Sequence, residues 1–334
     1  GALMDTGGIA ARIIRFSQAL VGAVKGGLAM VVVVSEIFFS GISGATVADT
    51  AAIGSMMIPA MQKAGYKPPQ SAAIVAAAAS MGALIPPCIA MVVLGTIANI
   101  SVGALFAGGF LPAFTMAFFL LILIYVQASV GVLPGAAARA SLGEAVRSFV
   151  DALLALLMPI IIFGGILGGI TTPTEAAVLA VVYGLVVGVF VYKEIKFQQF
   201  VHIMKQTVVL TGVTLFLVGT AAVFSWLVSS ERVPDAIVSA MLGVSASPWV
   251  FMVISVALFI GIGMVLEGLP AIILLVPILL PPAQKLGFHP LHYSIVSIGA
   301  VYIGLFMPPA GIGLLISCAI AKVSLERTIT SFGP

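Results

Sequence analysis

The chain has 334 residues, 61% of them hydrophobic and 7% charged, with a mean hydropathy of +1.27, whereas soluble domains are about 45–50% apolar and about 25% charged. Fourteen basic and eleven acidic residues can neither solvate a water-soluble globule of this size nor neutralise a nucleic-acid backbone. The composition places the chain in a bilayer. Cys88 and Cys318 lie 230 residues apart in apolar stretches, without a CxxC or Cys/His cluster, and read as small packing residues. The sequence opens at Gly1 with neither an initiator methionine nor a recognisable leader, so the start of the protein is expected to lie upstream.

A spanning helix needs about 20 largely apolar residues. In chain order, residues 19–63 and 70–99 are apolar but interrupted by glycine, proline or a charge. Uninterrupted spans are expected at 103–130, 149–170, 174–192 and 207–229, and interruptions return in 248–285 and 291–322. Broken backbone at membrane depth persists only where protein buries it or it lines a wet cavity, so the interrupted segments are where function is sought. Residues 27–63 read as a hairpin turning at Ser40-Gly41-Ile42-Ser43-Gly44, and residues 248–285 as a second turning near Glu267-Gly268. Basic and apolar residues alternate at helical spacing in 135–148 and 195–206, which are expected to be interfacial helices; 232–246 is expected to be a short outer element. Glu175, in Thr172-Pro173-Thr174-Glu175, is expected to cap a helix near the outer surface.

With the base of the first hairpin in the cytoplasm, five crossings put the base of the second outside. Arg12, Arg15, Lys25, Lys63, Lys67, Arg139, Arg147, Lys193, Lys196, Lys205, Lys322 and Arg327 then lie inside, and only Arg232 and Lys285 outside. That asymmetry is what the positive-inside rule requires, and Trp226 and Trp249 flank the outer loop as an aromatic belt would.

A shift of 222 residues aligns Pro59, Gln62, Lys63, Gly65, Pro68, Ala78, Gly82, Pro86 and Pro87 with Pro281, Gln284, Lys285, Gly287, Pro290, Ala300, Gly304, Pro308 and Pro309, and reaches upstream to Gly41 and Gly263. Each copy is a hairpin followed by a helix broken at Pro-Pro. An odd number of crossings between the copies inverts one relative to the other, the signature of secondary transporters whose site lies where the repeats meet. The chain therefore divides into an N-terminal scaffold end with an interfacial helix (1–26), a first transport repeat (27–102), scaffold and arm helices (103–247), an inverted second repeat (248–323) and a tail (324–334). The fold class is an all-α polytopic membrane protein of inverted repeats, with two re-entrant hairpins and two discontinuous helices.

Chemically, Pro86-Pro87 and Pro308-Pro309 remove amide donors and free carbonyls of the preceding turn, which can ligate a hard cation such as sodium. Glycines at the tips and after the breaks let backbone approach a ligand, and the helix N-termini there offer amides to a carboxylate. Glu36, Asp49 and Glu267 are the carboxylates placed well inside the bilayer, where charge is expensive and functional. Asp49 and Glu267 read as cation-coupling residues or, more plainly, as caps on the second helix of each hairpin. Glu36 reads as a protonated or hydrogen-bonded interior residue. His202, His289 and His292 show no metal-ligand spacing, and there is no phosphate-binding GxxxxGK[ST] loop, no HExxH and no Ser/His pair at depth. A channel or proton-conducting subunit of a larger complex is the alternative reading, and it requires a continuous line of ionisable groups where this sequence has isolated ones.

The run from Phe38 to Thr50 (FFSGISGATVADT), Ile85-Pro86-Pro87, Thr172-Pro173-Thr174-Glu175-Ala176-Ala177 and Met307-Pro308-Pro309-Ala310-Gly311 together resemble the large membrane subunit of TRAP transporters, the tripartite ATP-independent periplasmic transporters. The resemblance covers essentially the whole chain. It implies a sodium-coupled importer in the bacterial inner membrane that moves an organic acid, such as a C4-dicarboxylate or sialic acid, by an elevator movement. It also implies a small four-helix membrane subunit and a periplasmic substrate-binding protein as partners, sodium as coupling ion, and neither cofactor nor other metal. Carried over by motif, Ser40, Gly41, Ser43, Gly44, Asp49, Pro86 and Pro87 build one sodium site. Glu267, Gly268, Gly304, Met307, Pro308 and Gly311 build the other, and Ser43, Gly44, Thr46, Pro309 and Gly311 face the substrate. Two departures stand out: Glu36 occupies a place where the family has a small neutral residue, and Leu269-Pro270 follows Glu267 where the family has a threonine. The family's further N-terminal helices are not in this sequence, which is expected to be a fragment.

Overall fold

The computed structural model describes residues 8–135, 141–244 and 247–332. Among these every regular element is helical: α1 (Ile9–Val21), α2 (Gly27–Ser43), α3 (Thr46–Lys63), α4 (Pro68–Gly82), α5 (Ile89–Ala98), α6 (Val102–Ser129), α7 (Leu142–Leu167) and α8 (Pro173–Val186). After α8 come a single π turn (Val187–Val191), α9 (Phe197–Ser230), α10 (Val233–Val244), α11 (Pro248–Gly263), α12 (Gly268–Lys285), α13 (Pro290–Phe306), α14 (Ile312–Ala321) and α15 (Leu325–Phe332). Five helices are long and apolar enough to cross a membrane, which makes this a multi-pass membrane protein.

The two hairpins and the two broken helices all form. Gly44 and Ala45 separate α2 from α3, and residues 264–267 separate α11 from α12. Displaced by 222 residues, α3 coincides with α12 at both ends, and α4 starts where α13 does. Both Pro-Pro bonds, Pro86-Pro87 and Pro308-Pro309, are cis, and Gly65 and Gly287 take the same positive φ (95° and 89°) at the foot of each hairpin. Elsewhere the limits differ by one or two residues: α11 ends two residues before the α2 limit requires, α13 ends two residues after that of α4, and α14 begins one residue later than α5 predicts. The copies interlock: α12 of the second hairpin packs on α5, α3 of the first hairpin packs on α14, and α4 and α13 meet between them. One apolar core runs through all of these, with Phe39, Met57, Met61, Met81, Leu84, Phe106, Phe259, Tyr293 and Phe306 fully or almost fully buried.

The helices between the repeats differ from the expectation in one respect. Residues 142–148 and 197–206 are not separate interfacial helices. They are the opening turns of α7 and of the 34-residue α9. No glycine or proline interrupts either join, and a Ser141/Glu144 capping box starts α7, so nothing in the sequence stops the helix between its polar and apolar parts. Residues 136–140, including Arg139, lie outside the described residues. At 1.5 Å per residue, α9 extends over roughly 51 Å, well beyond a hydrocarbon core of about 30 Å. It lies on the outside of the molecule against α10 and α12. The short element expected at 232–246 is α10, and the Thr172/Glu175 capping box starts α8 as expected.

Polar contacts tie the chain ends of these elements together. Arg12 pairs with Glu194 at 3.0 Å and lies over the Tyr192 ring, 3.8 Å from its centroid. Gln62 Nε2 donates to the Ala321 carbonyl, and Gln70 Nε2 to that of Val132. The segments carrying Lys63 and Lys322 are thereby joined.

Candidate functional site

Helix α2 ends because Gly44 turns left-handed (φ 68°) and its N–H donates to the Ser40 carbonyl, a C-cap that glycine adopts without strain. The position also requires glycine for space. A Cβ there would come within 2.5 Å of the Pro87 carbonyl oxygen. The hairpin tip is thus pressed onto the Pro-Pro break, and the Ile89 N–H donates across to the Gly44 carbonyl at 3.3 Å. Gly41 faces the Pro86 carbonyl, with 3.6 Å between its Cβ position and that oxygen. Gly82, at the end of α4, leaves room for the Ser40 hydroxyl, which a Cβ would strike.

Asp49 stands on α3 and is 1% exposed. It lies in the first turn of that helix, whose N-cap residue is Ala45. Ser40 Oγ donates to Asp49 Oδ2 at 3.1 Å, and Ser43 Oγ donates to Asp49 Oδ1. Ser40 and Ser43 are three apart on α2 and share a face, so one carboxylate from α3 ties both ends of the last turn of α2. The Ser43 hydroxyl also accepts the Ala45 N–H at 3.2 Å, closing the turn, and buried Thr46 carries its carbonyl to the Thr50 hydroxyl at 2.8 Å. Seven groups named from the sequence are therefore neighbours: the hydroxyls of Ser40 and Ser43, the Asp49 carboxylate, the backbone of Gly41 and Gly44, and the carbonyls of Pro86 and Pro87. All of them offer oxygen or close backbone and no nitrogen or sulfur ligand, a donor set suited to a hard cation such as sodium.

The second tip differs in both turn and side chains: α11 ends at a right-handed Met264 (φ -67°), and four residues, 264–267, lead into α12. Glu267 occupies the N-cap position of α12, is exposed, and makes no side-chain cap bond. Gly268 lies flat on the Tyr302 ring, 2.6 Å from its Cβ position to Cζ. Gly304 is packed so closely on the Ile260 carbonyl that a Cβ would collide with it. The Gly311 N–H donates to the Met307 carbonyl at 3.1 Å. Gly311 is buried, Met307 and Pro308 are half-buried, and Pro309 is exposed.

Tyr302 and Cys88 went unnoticed as site residues in the sequence. Tyr302 lies within electrostatic reach of Cys88, Glu267 and Asp49 and so stands between the two tips. Its signal was a lone phenol one turn before a helix break. Cys88, which follows the first Pro-Pro, lines a cavity of about 240 Å³ together with Ser43, Gly44, Pro87 and Ile89 on one side and Met158, Ile162, Pro173 and Ala177 of α7 and α8 on the other. Of the residues expected to face a substrate, Ser43 and Gly44 border this cavity; Thr46, Pro309 and Gly311 do not. The far wall combines Met158 and Ile162 of α7, which carry no motif, with Pro173 and Ala177 from the 172–177 motif that starts α8.

With this geometry in hand, likeness to known proteins becomes informative. The family model described as "Tripartite ATP-independent periplasmic transporter, DctM component" matches residues 1–334. The chain is 38% identical over 335 residues to the C4-dicarboxylate TRAP transporter large permease protein DctM of Pseudomonas aeruginosa, covering 100% of this chain and 78% of that protein. It is 34% identical to the sialic acid TRAP transporter large permease protein SiaM of Vibrio cholerae, covering 97% and 75%. Among solved structures, the YdaH transporter of Alcanivorax borkumensis shares the fold at a TM-score of 0.59 and 16% identity, over 100% of this chain and 80% of that one. The chain belongs to the DctM family, the large permease components of tripartite ATP-independent periplasmic transporters.

Proposed function

We propose that this permease imports an organic acid across the bacterial inner membrane, driven by sodium. The observation that carries the reading is the Asp49 carboxylate, buried at a hairpin tip, holding two serine hydroxyls beside the carbonyls of a Pro-Pro break. A charge buried this deeply is costly unless it is compensated, and sodium supplies a positive charge with oxygen ligands alone. The second tip, with Glu267, Gly268, Gly304, Met307, Pro308 and Gly311, supplies the other sodium site in this reading. The substrate carboxylate lies between the tips in this reading, beside Ser43, Gly44, Thr46, Pro309 and Gly311. Named relatives carry C4-dicarboxylates and sialic acid, and acids of this kind are the substrate class proposed here.

The interlocked repeats form the moving body and α6 to α9 the frame, an elevator arrangement. It is supported by the cavity between the first tip and α7–α8, which gives the tip a face against the frame that is not packed solid. A small membrane subunit braces the frame and a periplasmic protein delivers substrate. One relative is printed as a fused DctMQ permease, in keeping with a small subunit held next to the large one.

The test is uptake into liposomes holding the complete permease, its small subunit and a binding protein. An inward sodium gradient should drive accumulation. Accumulation that ignores sodium and follows protons overturns the coupling.

A further inference from the structure

Helix α4 is rich in alanine (PPQSAAIVAAAASMG) and lies against α6, which is long and apolar enough to span a membrane. Small side chains on one helix leave the contact unfilled. Two adjoining cavities, of about 240 and about 360 Å³, run along it and share Ala77, Leu120 and Leu123. Ala73, Ala77 and Met81 recur at helical spacing on one wall, and Met116, Leu120 and Leu123 on the other. Gln70, Gln127 and Thr330 of α15 close one end. Beyond them the lining is apolar apart from Thr115, whose hydroxyl donates to the Leu111 carbonyl at 2.7 Å. From Gln70 to Met81 the groove follows eleven residues of helix, roughly 16 Å at 1.5 Å each, which is close to half of a hydrocarbon core of about 30 Å.

The polar end is at the foot of the first hairpin, on the side where the basic residues gather. Lys67 stands one turn before Gln70 and Arg327 one turn before Thr330; both are exposed, and neither forms an ion pair among the described residues. Next to the groove, α6 exposes Leu111, Phe114 and Phe118, the apolar surface that a spanning helix turns to lipid, so the groove opens onto the bilayer. Water is a poor occupant, because a buried water needs about two to four polar partners and the middle of the groove has none to give. An acyl chain supplies the lining with the dispersion partners it lacks, and basic residues at the mouth attract an anionic headgroup. We propose that the groove between α4 and α6 holds one acyl chain of an anionic phospholipid of the cytoplasmic leaflet, with its headgroup beside Lys67 and Arg327. One leaflet's depth of chain fills a seam between the first repeat and α6 that protein leaves open.

The probe is a phosphatidylglycerol with a photoreactive diazirine in its acyl chain, mixed into phosphatidylethanolamine vesicles that hold the complete permease complex. Illumination joins the chain to whatever it touches, and peptide mass spectrometry locates the adducts. In the wild type they should fall on Ala73, Ala77 and Leu120 as well as on Leu111 and Phe118 of the outer face. Ala77→Phe fills the groove and should abolish the groove adducts while leaving those on Leu111 and Phe118. The double variant Lys67→Gln, Arg327→Gln should keep the groove and lower its preference for this probe over an equally labelled phosphatidylethanolamine by about fivefold for each charge removed. A wild type labelled on Leu111 and Phe118 alone overturns the assignment, since another part of the permease or its small subunit then covers the groove. Groove labelling that Ala77→Phe leaves untouched overturns it too, as does a headgroup preference that the double variant retains in full. If Ala77→Phe does not assemble, the double variant decides. None of these readouts involves sodium, so the coupling proposed above stands or falls separately.

Discussion

The two repeats share the second helix of the hairpin and the Pro-Pro break, yet their tips differ in the turn and in almost every side chain that could touch an ion. Across the 222-residue shift, Glu36, Ser40, Ser43, Asp49 and Thr50 correspond to Leu258, Ile262, Val265, Ala271 and Ile272. The cis Pro-Pro bonds, the glycines at the feet of the hairpins and the limits of α3 and α12 are retained. Backbone that must bend and approach closely has been kept in both copies, because few residues other than glycine and proline tolerate it. Side-chain chemistry has been concentrated in the first copy. Any ion held at the second tip must then rely mainly on backbone carbonyls and Glu267, while the first has a carboxylate already oriented by two hydroxyls. The difference teaches that the inverted repeat supplies a frame for two sites without making them equivalent.

Asp49→Ala is the sharpest way to break this asymmetry. It removes the charge and leaves the Ser40 and Ser43 hydroxyls without their acceptor, at about 1.5–3 kcal/mol for each hydrogen bond to a charged group. Sodium-driven uptake should fall by about 100-fold or more, in the range for loss of a metal ligand or its support. Glu267→Ala, which breaks no side-chain hydrogen bond recorded at its cap, should cost uptake about tenfold or less and leave stability nearly unchanged. Equal losses in the two variants, measured in the same liposomes, would show that the tips contribute alike.

Next in size are the glycines, which test whether the shared frame is as demanding in both copies. Gly304→Ala drives a methyl into the Ile260 carbonyl, a backbone atom that cannot step aside, and should destabilise the permease by about 2–3 kcal/mol, as an overpacked core does. Gly82→Ala, its counterpart, meets the Ser40 hydroxyl, which can rotate away. It should cost less stability, yet reduce sodium affinity by misplacing a group bonded to Asp49. Gly44→Ala combines a left-handed backbone with contact against the Pro87 carbonyl and should cost at least about 1–2 kcal/mol. Thermal unfolding read beside sodium affinity separates these effects.

The repeat was legible in the sequence because its carriers are glycine and proline, whose positions are fixed by backbone geometry. Hence the second hairpin turn, both breaks and the α8 cap fell where expected, while the first turn falls at Gly44-Ala45, because Ser40 to Ser43 remain helical until the left-handed glycine. The joins at 142–148 and 197–206 misled because a change from amphipathic to apolar pattern marks a change of environment and need not end a helix; with no glycine or proline at either join, the helix runs through. Within the site, the Ser40, Ser43 and Asp49 cluster was readable from spacing, but the partnering of Asp49 across the hairpin depends on how closely α2 and α3 approach. Tyr302 and the α7 residues of the cavity wall were illegible for a similar reason, whereas Pro173 and Ala177 of α8 lie in a motif whose place at the cavity only packing reveals. A phenol or an isoleucine in an apolar helix gains its role only from what packs against it.

The smallest expected effect lies at the feet of the hairpins, where the copies share a lysine but use it differently. Lys285 pairs with Asp235 of α10, whereas its counterpart Lys63 is exposed and makes no ion pair among the described residues. The Lys285 ammonium, by hydrogen bond and then by charge, holds the Asp235 carboxyl below the ordinary aspartate range of about 3.9. A carboxyl lowered on folding stabilises fully above its unfolded pKa and loses that contribution as pH falls through the folded one. The brace between α10 and α12 should therefore hold at neutral pH and weaken only below about pH 4. Both partners are half exposed in their side chains, so Asp235→Asn should shift thermal stability only slightly, and the shift should shrink further in high salt. A salt-insensitive loss comparable to that of Gly304→Ala would mean that the second hairpin depends on this brace in a way the first does not.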